Sequence, residues 1–358
     1  MTITGDRPVD PQKLEQFVFR AVDEVGATLN TALVVMGDRL GLYRALAGAG
    51  PLTPTELAAR TGTAERYVRE WLNAQAAGGY VEYHPEDAAY SLAPEQAAAL
   101  CDEDSPAFLP GLFQNALGSV VDSPLVTEAA RTGAGVGWHE HNGDVHHGCE
   151  RLFRPGYKAN LVSDWLPALD GVVAKLERGA RVADVGCGHG ASTVLMADAF
   201  PASTFTGSDY HADSIDTARR RAAEAGLAER IRFEVAAADE FTGGDLDLVT
   251  MFDCLHDLGD PVGAARRVLE ALSPDGTWMI VEPAAGDRVQ DNFNPVGRAY
   301  YGFSTLLCTP ASLSQDVGLA LGAQAGPART RAVAEDAGFT RFRAAADTPL
   351  NVVYEARP

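Results

Sequence analysis

Beyond Arg181 the chain alternates short apolar runs with amphipathic stretches, and this alternation constrains its fold more than any other feature. The runs RVADVG, STFTGSD, IRFEVA, DLDLVTMF and GTWMIVEP read as strands, with helices expected over 191–199, 213–225 and 260–272 between them. Strands that return through helices cannot pair as hairpins, so they lie parallel in one sheet with helices on both faces: an α/β, doubly wound domain. After the helical stretch ARTRAVAEDAGF, the runs TRFRAAA and NVVYEAR with Thr-Pro between them predict a closing antiparallel hairpin.

The first of these strands runs into VADVGCGHGAS, residues 182–192. Gly186, Gly188 and Gly190 let the backbone bend sharply and come close to a ligand at the start of the next helix. With Ala191 following, the same residues satisfy the loose dinucleotide pattern G-x-G-x-x-G/A, and Asp209 stands about 20 residues on, where an acid receives ribose hydroxyls. Asp184 bears on the charge of the ligand. A carboxylate just ahead of the bend opposes a diphosphate and favours an ammonium or a sulfonium, so the ligand expected here is cationic.

The N-terminal third is built differently. Apolar residues at helical spacing (Leu14, Phe17, Val18, Val22, Val25, Leu29, Leu33) predict one long helix or two consecutive ones over 12–47. Thr53 and Glu56 form a capping-box pattern, TGT turns the chain into a second helix, and Gly78-Gly79 opens two short β segments, YVEY and AYSL. Helix, turn, helix and wing in that order make a mostly α winged-helix domain, whose second helix can enter a DNA groove. Acidic residues outnumber basic ones over the first 100 positions, and the whole chain carries a formal charge of −20, which repels phosphate backbones and anionic lipid. Nucleic-acid and membrane partners are therefore not expected, whereas dimerisation through the N-terminal helices is. The stretch MTITGDRPVD lacks a leader pattern, no apolar run reaches membrane-spanning length, and the five cysteines are odd in number without CxxC spacing. These features point to a cytoplasmic homodimer with reduced thiols. The acidic CDEDSP marks a boundary, giving a winged-helix domain over 1–100, a helical substrate-covering region over 101–170 and the α/β domain over 171–358.

DVGCGHG resembles the E/DxGxGxG motif of class I S-adenosylmethionine-dependent methyltransferases. TGSDY is similar to the acidic strand-two motif of that family, AADEF to the loop whose acid reaches the adenine, and MFDCLHDLGD to the strand-four motif, while the terminal hairpin matches the family's inverted final strand. A winged helix followed by such a domain is the arrangement of its small-molecule O-methyltransferases. The resemblance implies a Rossmann-like seven-stranded sheet, S-adenosylmethionine as methyl donor with S-adenosylhomocysteine as product, and a small aromatic or hydroxylated acceptor. It also implies the cofactor contacts: Asp184, Gly186, Gly188 and Gly190 at the turn, Asp209 and Tyr210 at the ribose, Asp239 toward the adenine, and Phe252 and Asp253 at the end of the fourth strand.

In those O-methyltransferases a His-Asp-Trp sequence after strand four supplies the base; Leu255-His256-Asp257-Leu258 stands there in this chain, without the tryptophan. The resemblance thus makes His256 the expected general base and Glu282 of IVEP the acid that orients it. Imidazole titrates near neutrality and can take a hydroxyl proton as the methyl moves, an assistance typically worth about 10²- to 10⁴-fold. Transfer to nitrogen, carbon or sulfur can proceed without such a base, and a transcriptional regulator sensing S-adenosylmethionine is the rival from another class. His139, His141, His146 and His147 fall in TGAGVGWHEHNGDVHHG, whose HxH and HH spacings invite a metal. A glycine-rich loop offers no rigid ligand set, so the expectation is no metal but a cover over the pocket or simple surface histidines, with one of them as an alternative base if the loop folds over the cofactor. Cys308, with no histidine beside it in sequence, reads as a small buried hydrophobe.

Overall fold

The structure, a computed structural model, describes residues 8–358; the opening MTITGDR, part of the stretch read above for a leader, lies outside the described residues. The chain forms two compact units that divide between Leu117 and Gly118.

In the first unit the two-helix form of the N-terminal prediction is found, Pro11–Arg39 followed by Leu42–Leu46. Asp10 caps the first helix by accepting from the backbone N–H groups of Gln12 and Lys13. Its apolar row is not consumed by the unit's own core: Leu14, Phe17, Val22, Val25 and Leu29 are exposed, and burial begins only at Val34. The capping box forms as expected, with Glu56 N donating to Thr53 Oγ1 at 3.3 Å and Thr53 N donating to Glu56 Oε2 at 2.8 Å. Helices Pro54–Thr61 and Glu65–Ala77 then bury Leu57, Val68, Trp71 and Leu72 with Tyr43, and β1 (Glu82–His84) pairs antiparallel with β2 (Ala89–Ser91) as the wing. The arginines on the exposed face of the second helix are each matched by a glutamate one turn away, Arg66 with Glu70 and Arg69 with Glu65.

The second unit is built on a seven-stranded sheet: β3 (Arg181–Val185), β4 (Thr204–Asp209), β5 (Ile231–Val235), β6 (Leu246–Phe252), β7 (Leu272–Pro283), β8 (Arg341–Asp347) and β9 (Asn351–Arg357). The spatial order is β5-β4-β3-β6-β7-β9-β8. Strands β3 to β7 are parallel, and β9 enters antiparallel between β7 and β8, which is the closing hairpin expected from sequence. Helices Ala191–Ala199, Ala212–Glu224, Pro261–Ala271 and Gly326–Ala337 cover the two faces. One face packs Met196, Phe205, Ile215 and Ala218 with Trp165, and the other packs Trp278, Val268, Val333 and Phe339. Strand β7 starts at Leu272 rather than at Gly276, because Leu272 pairs with Leu246 before a register shift. From β3 the chain runs outward through β4 and β5, then returns to the other side of β3 as β6. The order therefore reverses between β3 and β6, and a crevice opens beyond their carboxyl ends. Among the described residues no helix is long and apolar enough to cross a membrane.

Candidate active site

The glycine turn sits at the mouth of that crevice. All three glycines have left-handed backbones, with φ of 72° at Gly186, 51° at Gly188 and 73° at Gly190. Their surroundings differ. A Cβ on Gly186 would stand 2.7 Å from Cys254 Sγ, and one on Gly190 would stand 2.8 Å from the Phe233 ring and 2.9 Å from Ala218, whereas one on Gly188 would meet nothing within 4 Å. Packing thus demands the outer two glycines, and the middle one faces the open space of a cradle. Asp209, at the end of β4, accepts from Gly188 N through Oδ2 and from His211 N through Oδ1, each at 2.9 Å, which ties the acid to the turn.

Asp184 lies differently from the sequence expectation of a direct ligand contact. It is 1% exposed, and its oxygens accept from Ser192 Oγ at 2.7 Å, Thr193 Oγ1 at 2.5 Å and Thr250 Oγ1 at 2.9 Å. Three hydroxyls occupy its lone pairs, so its charge acts as a field beneath the turn. Asp253, just past β6, holds φ at 51°, an uncommon conformation for a residue with a side chain. Its carboxylate accepts from Asn351 Nδ2 at 2.6 Å and from the Tyr157 hydroxyl at 3.2 Å. Burial above all, with the Glu282 charge second, pushes its pKa up to about 8. Burial likewise raises Asp184, Asp209 and Asp257.

A carboxyl whose folded pKa is raised stabilises the fold most below its unfolded pKa, near 4, and loses that contribution as pH climbs through the folded value. For Asp253 the window runs from about pH 4 to about pH 8. Asparagine imitates the protonated acid and tolerates the left-handed backbone. The ligand-free protein is therefore expected to melt at progressively lower temperature between pH 5 and 9, and Asp253→Asn to lose less over the same range. Parallel pH profiles from differential scanning calorimetry would refute this.

His256 belongs to a short turn, Leu255–Asp257, and is 4% exposed. Its Nδ1 donates to Glu282 Oε2 at 2.6 Å, while Glu282 Oε1 accepts from Leu255 N at 3.1 Å, so one carboxylate fixes both the ring and the turn that carries it. The Nε2 edge faces Asp257 Oδ1 at 3.3 Å. Burial alone would depress the imidazole, but Glu282 and then Asp257 outweigh it and hold the pKa well above the ordinary value. Cys308 joins this cluster from the connection between β7 and β8. It is buried, as expected, yet the histidine missing from its sequence neighbourhood is supplied in space. Among the described residues only His256, Asp257 and Cys308 bring three donor atoms of metal-ligand type within 4.8 Å of one another. Burial pushes the Cys308 thiol up to about 12, so it stays protonated, a poor ligand and a ready hydrogen-bond neighbour.

The histidine-rich segment folds across the crevice. His139 meets Tyr210 edge-on at 6.2 Å between ring centroids, His146 stacks on His211 at 4.8 Å, and His147 lies 5.6 Å from His189 in the glycine turn. Burial pushes both His146 and His189 down to about 4, so they are neutral at physiological pH. Of the other residues singled out from sequence, Tyr210 is half-exposed, Asp239 is exposed in the loop after β5, and Phe252 is buried against Tyr157. Tyr157, Trp165 and Tyr300 are buried, whereas Phe293 is 73% exposed.

The model of an Rv2258c-like winged HTH domain matches residues 28–102, and that of a methyltransferase domain matches residues 176–315. By that match, residues 176–315 of the second unit form a methyltransferase domain. The mitomycin 7-O-methyltransferase superposes with a TM-score of 0.68 at 21% identity, over 97% of this chain and 100% of that one. Human N-acetylserotonin methyltransferase in complex with SAM superposes with a TM-score of 0.70 at 17% identity, over 99% of both chains. At such identities the likeness fixes the fold. A ubiquinone biosynthesis O-methyltransferase of Aromatoleum aromaticum is 30% identical over 128 residues, 35% of this chain and 51% of that protein. The chain spans about half, or less, of the length of the curated relatives it matches. In this methyltransferase domain the glycine cradle, Asp209, Asp253 and the His256–Glu282 pair gather beyond the carboxyl ends of neighbouring strands. The hydroxyls around Asp184 and the amide of Asn351 were not anticipated. Ser192 and Thr193 directly after the glycine run were the one signal in the sequence.

Proposed function

We propose that the chain transfers the methyl group of S-adenosylmethionine to a hydroxyl of a small aromatic acceptor, releasing S-adenosylhomocysteine. The observation that carries this reading is the group of acids at the ends of β3, β4 and β6, Asp184 buried and Asp209 and Asp253 half-buried. Asp184, Asp209 and Asp253 all have raised pKa values, and the groups bonded to them are uncharged hydroxyls, an amide and backbone N–H groups. Such a pocket attracts a ligand bearing a sulfonium and an ammonium and repels a diphosphate. When bound, S-adenosylmethionine supplies an electrophilic methyl group on a positively charged sulfur.

The chain's own residues have separable tasks. Gly188 admits the ligand close to the backbone, Asp209 receives the ribose hydroxyls beside Tyr210, Asp239 is the acid toward the adenine, and Asp253, next to Phe252, receives the ammonium. His256 takes the acceptor's proton at Nε2, while Glu282 holds the opposite ring nitrogen protonated and steadies the imidazolium that results. Trp138, Tyr300 and Phe303 around Cys308 give the acceptor an apolar wall. Oxygen as the accepting atom draws support from the names of its relatives, mitomycin 7-O-methyltransferase and ubiquinone biosynthesis O-methyltransferase.

Calorimetric titration tests the reading at its base. S-adenosylhomocysteine is expected to bind with one site per chain and a nicotinamide dinucleotide not at all. Binding of the dinucleotide with indifference to S-adenosylhomocysteine would overturn it.

A further inference from the structure

The histidine-rich segment brings one more group to the reaction centre. At one end Trp138 and Val145 pack with Cys308, Tyr300 and Leu307, and at the other the rings of His146 and His147 lie against His211 and His189. The segment therefore spans from the acid–base cluster to the glycine turn. His141 lies within it and is 5% exposed. Its Nδ1 is 3.0 Å from Asp122 Oδ2, and the same oxygen accepts from Asn142 N at 2.9 Å, so both ring and backbone are fixed. Burial opposes the Asp122 charge, but the donors from Asn142 and His141 prevail and hold its carboxyl below the usual range. Asp122 is thus a carboxylate, and the His141 proton resides on Nδ1.

His141 Nε2, on the opposite side of the ring, is buried and without a hydrogen-bond partner. Asp257 Oδ1 is buried and faces His256 Nε2 at 3.3 Å, and the Asp257 carboxyl interacts electrostatically with His141 and His256 alike. Two imidazoles are thus each held by a carboxylate, His256 by Glu282 and His141 by Asp122, and the Asp257 carboxyl feels both. A buried acceptor atom without a donor is unfavourable unless a ligand completes it.

We propose that His141 Nε2 receives a hydrogen bond from the methyl acceptor, and that this acceptor is an aromatic molecule with a second donor group, a hydroxyl or an amine, besides the hydroxyl that His256 deprotonates. The inference rests on the methyl-transfer reading and narrows its substrate class. Asp122 is the positioning residue, because it fixes which nitrogen of His141 is free.

The test uses the full chain saturated with S-adenosylhomocysteine, titrated with 2-naphthol and with 2,3- and 2,7-dihydroxynaphthalene, which share one apolar frame. A diol is expected to bind at least about 10-fold tighter than 2-naphthol, the cost of leaving a site's buried polar atom unpaired. His141→Asn keeps a donor toward Asp122 and deletes Nε2; it is expected to abolish the preference while leaving affinity for 2-naphthol and S-adenosylhomocysteine unchanged. In the wild-type protein the ¹⁵N signal of His141 Nε2 should move with the diol but not with 2-naphthol. Equal affinity for all three probes, a preference that survives His141→Asn, or an Nε2 signal indifferent to the diol would each overturn the proposal. Failure of the wild-type chain to bind S-adenosylhomocysteine would instead remove the methyl-transfer reading, and this inference with it.

Discussion

Replacing His256 by alanine is expected to lower kcat/KM for the acceptor by about 10²- to 10⁴-fold, equivalent to about 3–5 kcal/mol of barrier, with S-adenosylhomocysteine binding intact. The magnitude follows from the environment of the ring. Glu282 and Asp257 raise the imidazole pKa, which makes His256 a stronger base than a free histidine but leaves it largely protonated at neutral pH. Only the unprotonated fraction can accept the acceptor's proton, so kcat/KM of the wild type should rise with pH through a value above the ordinary imidazole range. Glu282→Gln removes the larger of the two attractive charges. Its rise should move to lower pH, with a lower plateau because the base is weaker. A flat profile between pH 6 and 9, or an alanine variant that retains the wild-type rate, would exclude His256 as the base.

The parts of this molecule that were legible in the sequence are those whose partners lie nearby in the chain or repeat with a period. Strands β3, β6 and β7 are largely buried and apolar because helices cover both faces, and the alternation that produces this burial is written directly in residues 181–283. The Thr53–Glu56 cap is local, and so is the glycine turn. The charge balance of the site was legible only in sign. An acid before the turn indicated a cationic ligand, but the sequence could not show that Ser192, Thr193 and Thr250 would take up its lone pairs, since Thr250 arrives from β6. The same limit applies to Cys308. Its lack of a neighbouring histidine said nothing about His256, brought beside it by a connection that leaves the sheet after β7 and returns. His141 and Asp122 sit on either side of a glycine-rich stretch with no periodicity to align them, so the segment could be read as a cover but not as a held imidazole. Contacts between elements carry the chemistry here, and a single sequence records them least.

The last two glycines of the turn should respond to alanine differently. Gly190→Ala places a Cβ 2.8 Å from Phe233 and 2.9 Å from Ala218, both in the buried core beneath the turn, on a backbone at φ 73°. Left-handed strain of about 1–2 kcal/mol and overpacking of about 1–3 kcal/mol combine to a loss of about 2–5 kcal/mol, on the order of 10 °C in melting temperature for a domain of this size. Gly188→Ala carries the same backbone strain, but its Cβ meets nothing within 4 Å, so the ligand-free protein should lose only about 1–2 kcal/mol. The penalty at Gly188 falls on binding, because the new methyl group enters the space through which a ligand approaches the backbone and the N–H that Asp209 receives. The expected pattern is a strongly destabilised Gly190→Ala, and a Gly188→Ala that melts near the wild type yet binds S-adenosylhomocysteine at least about 10-fold more weakly. If the two variants melted alike, or if Gly188→Ala kept wild-type affinity, the open space above Gly188 would not be the ligand cradle.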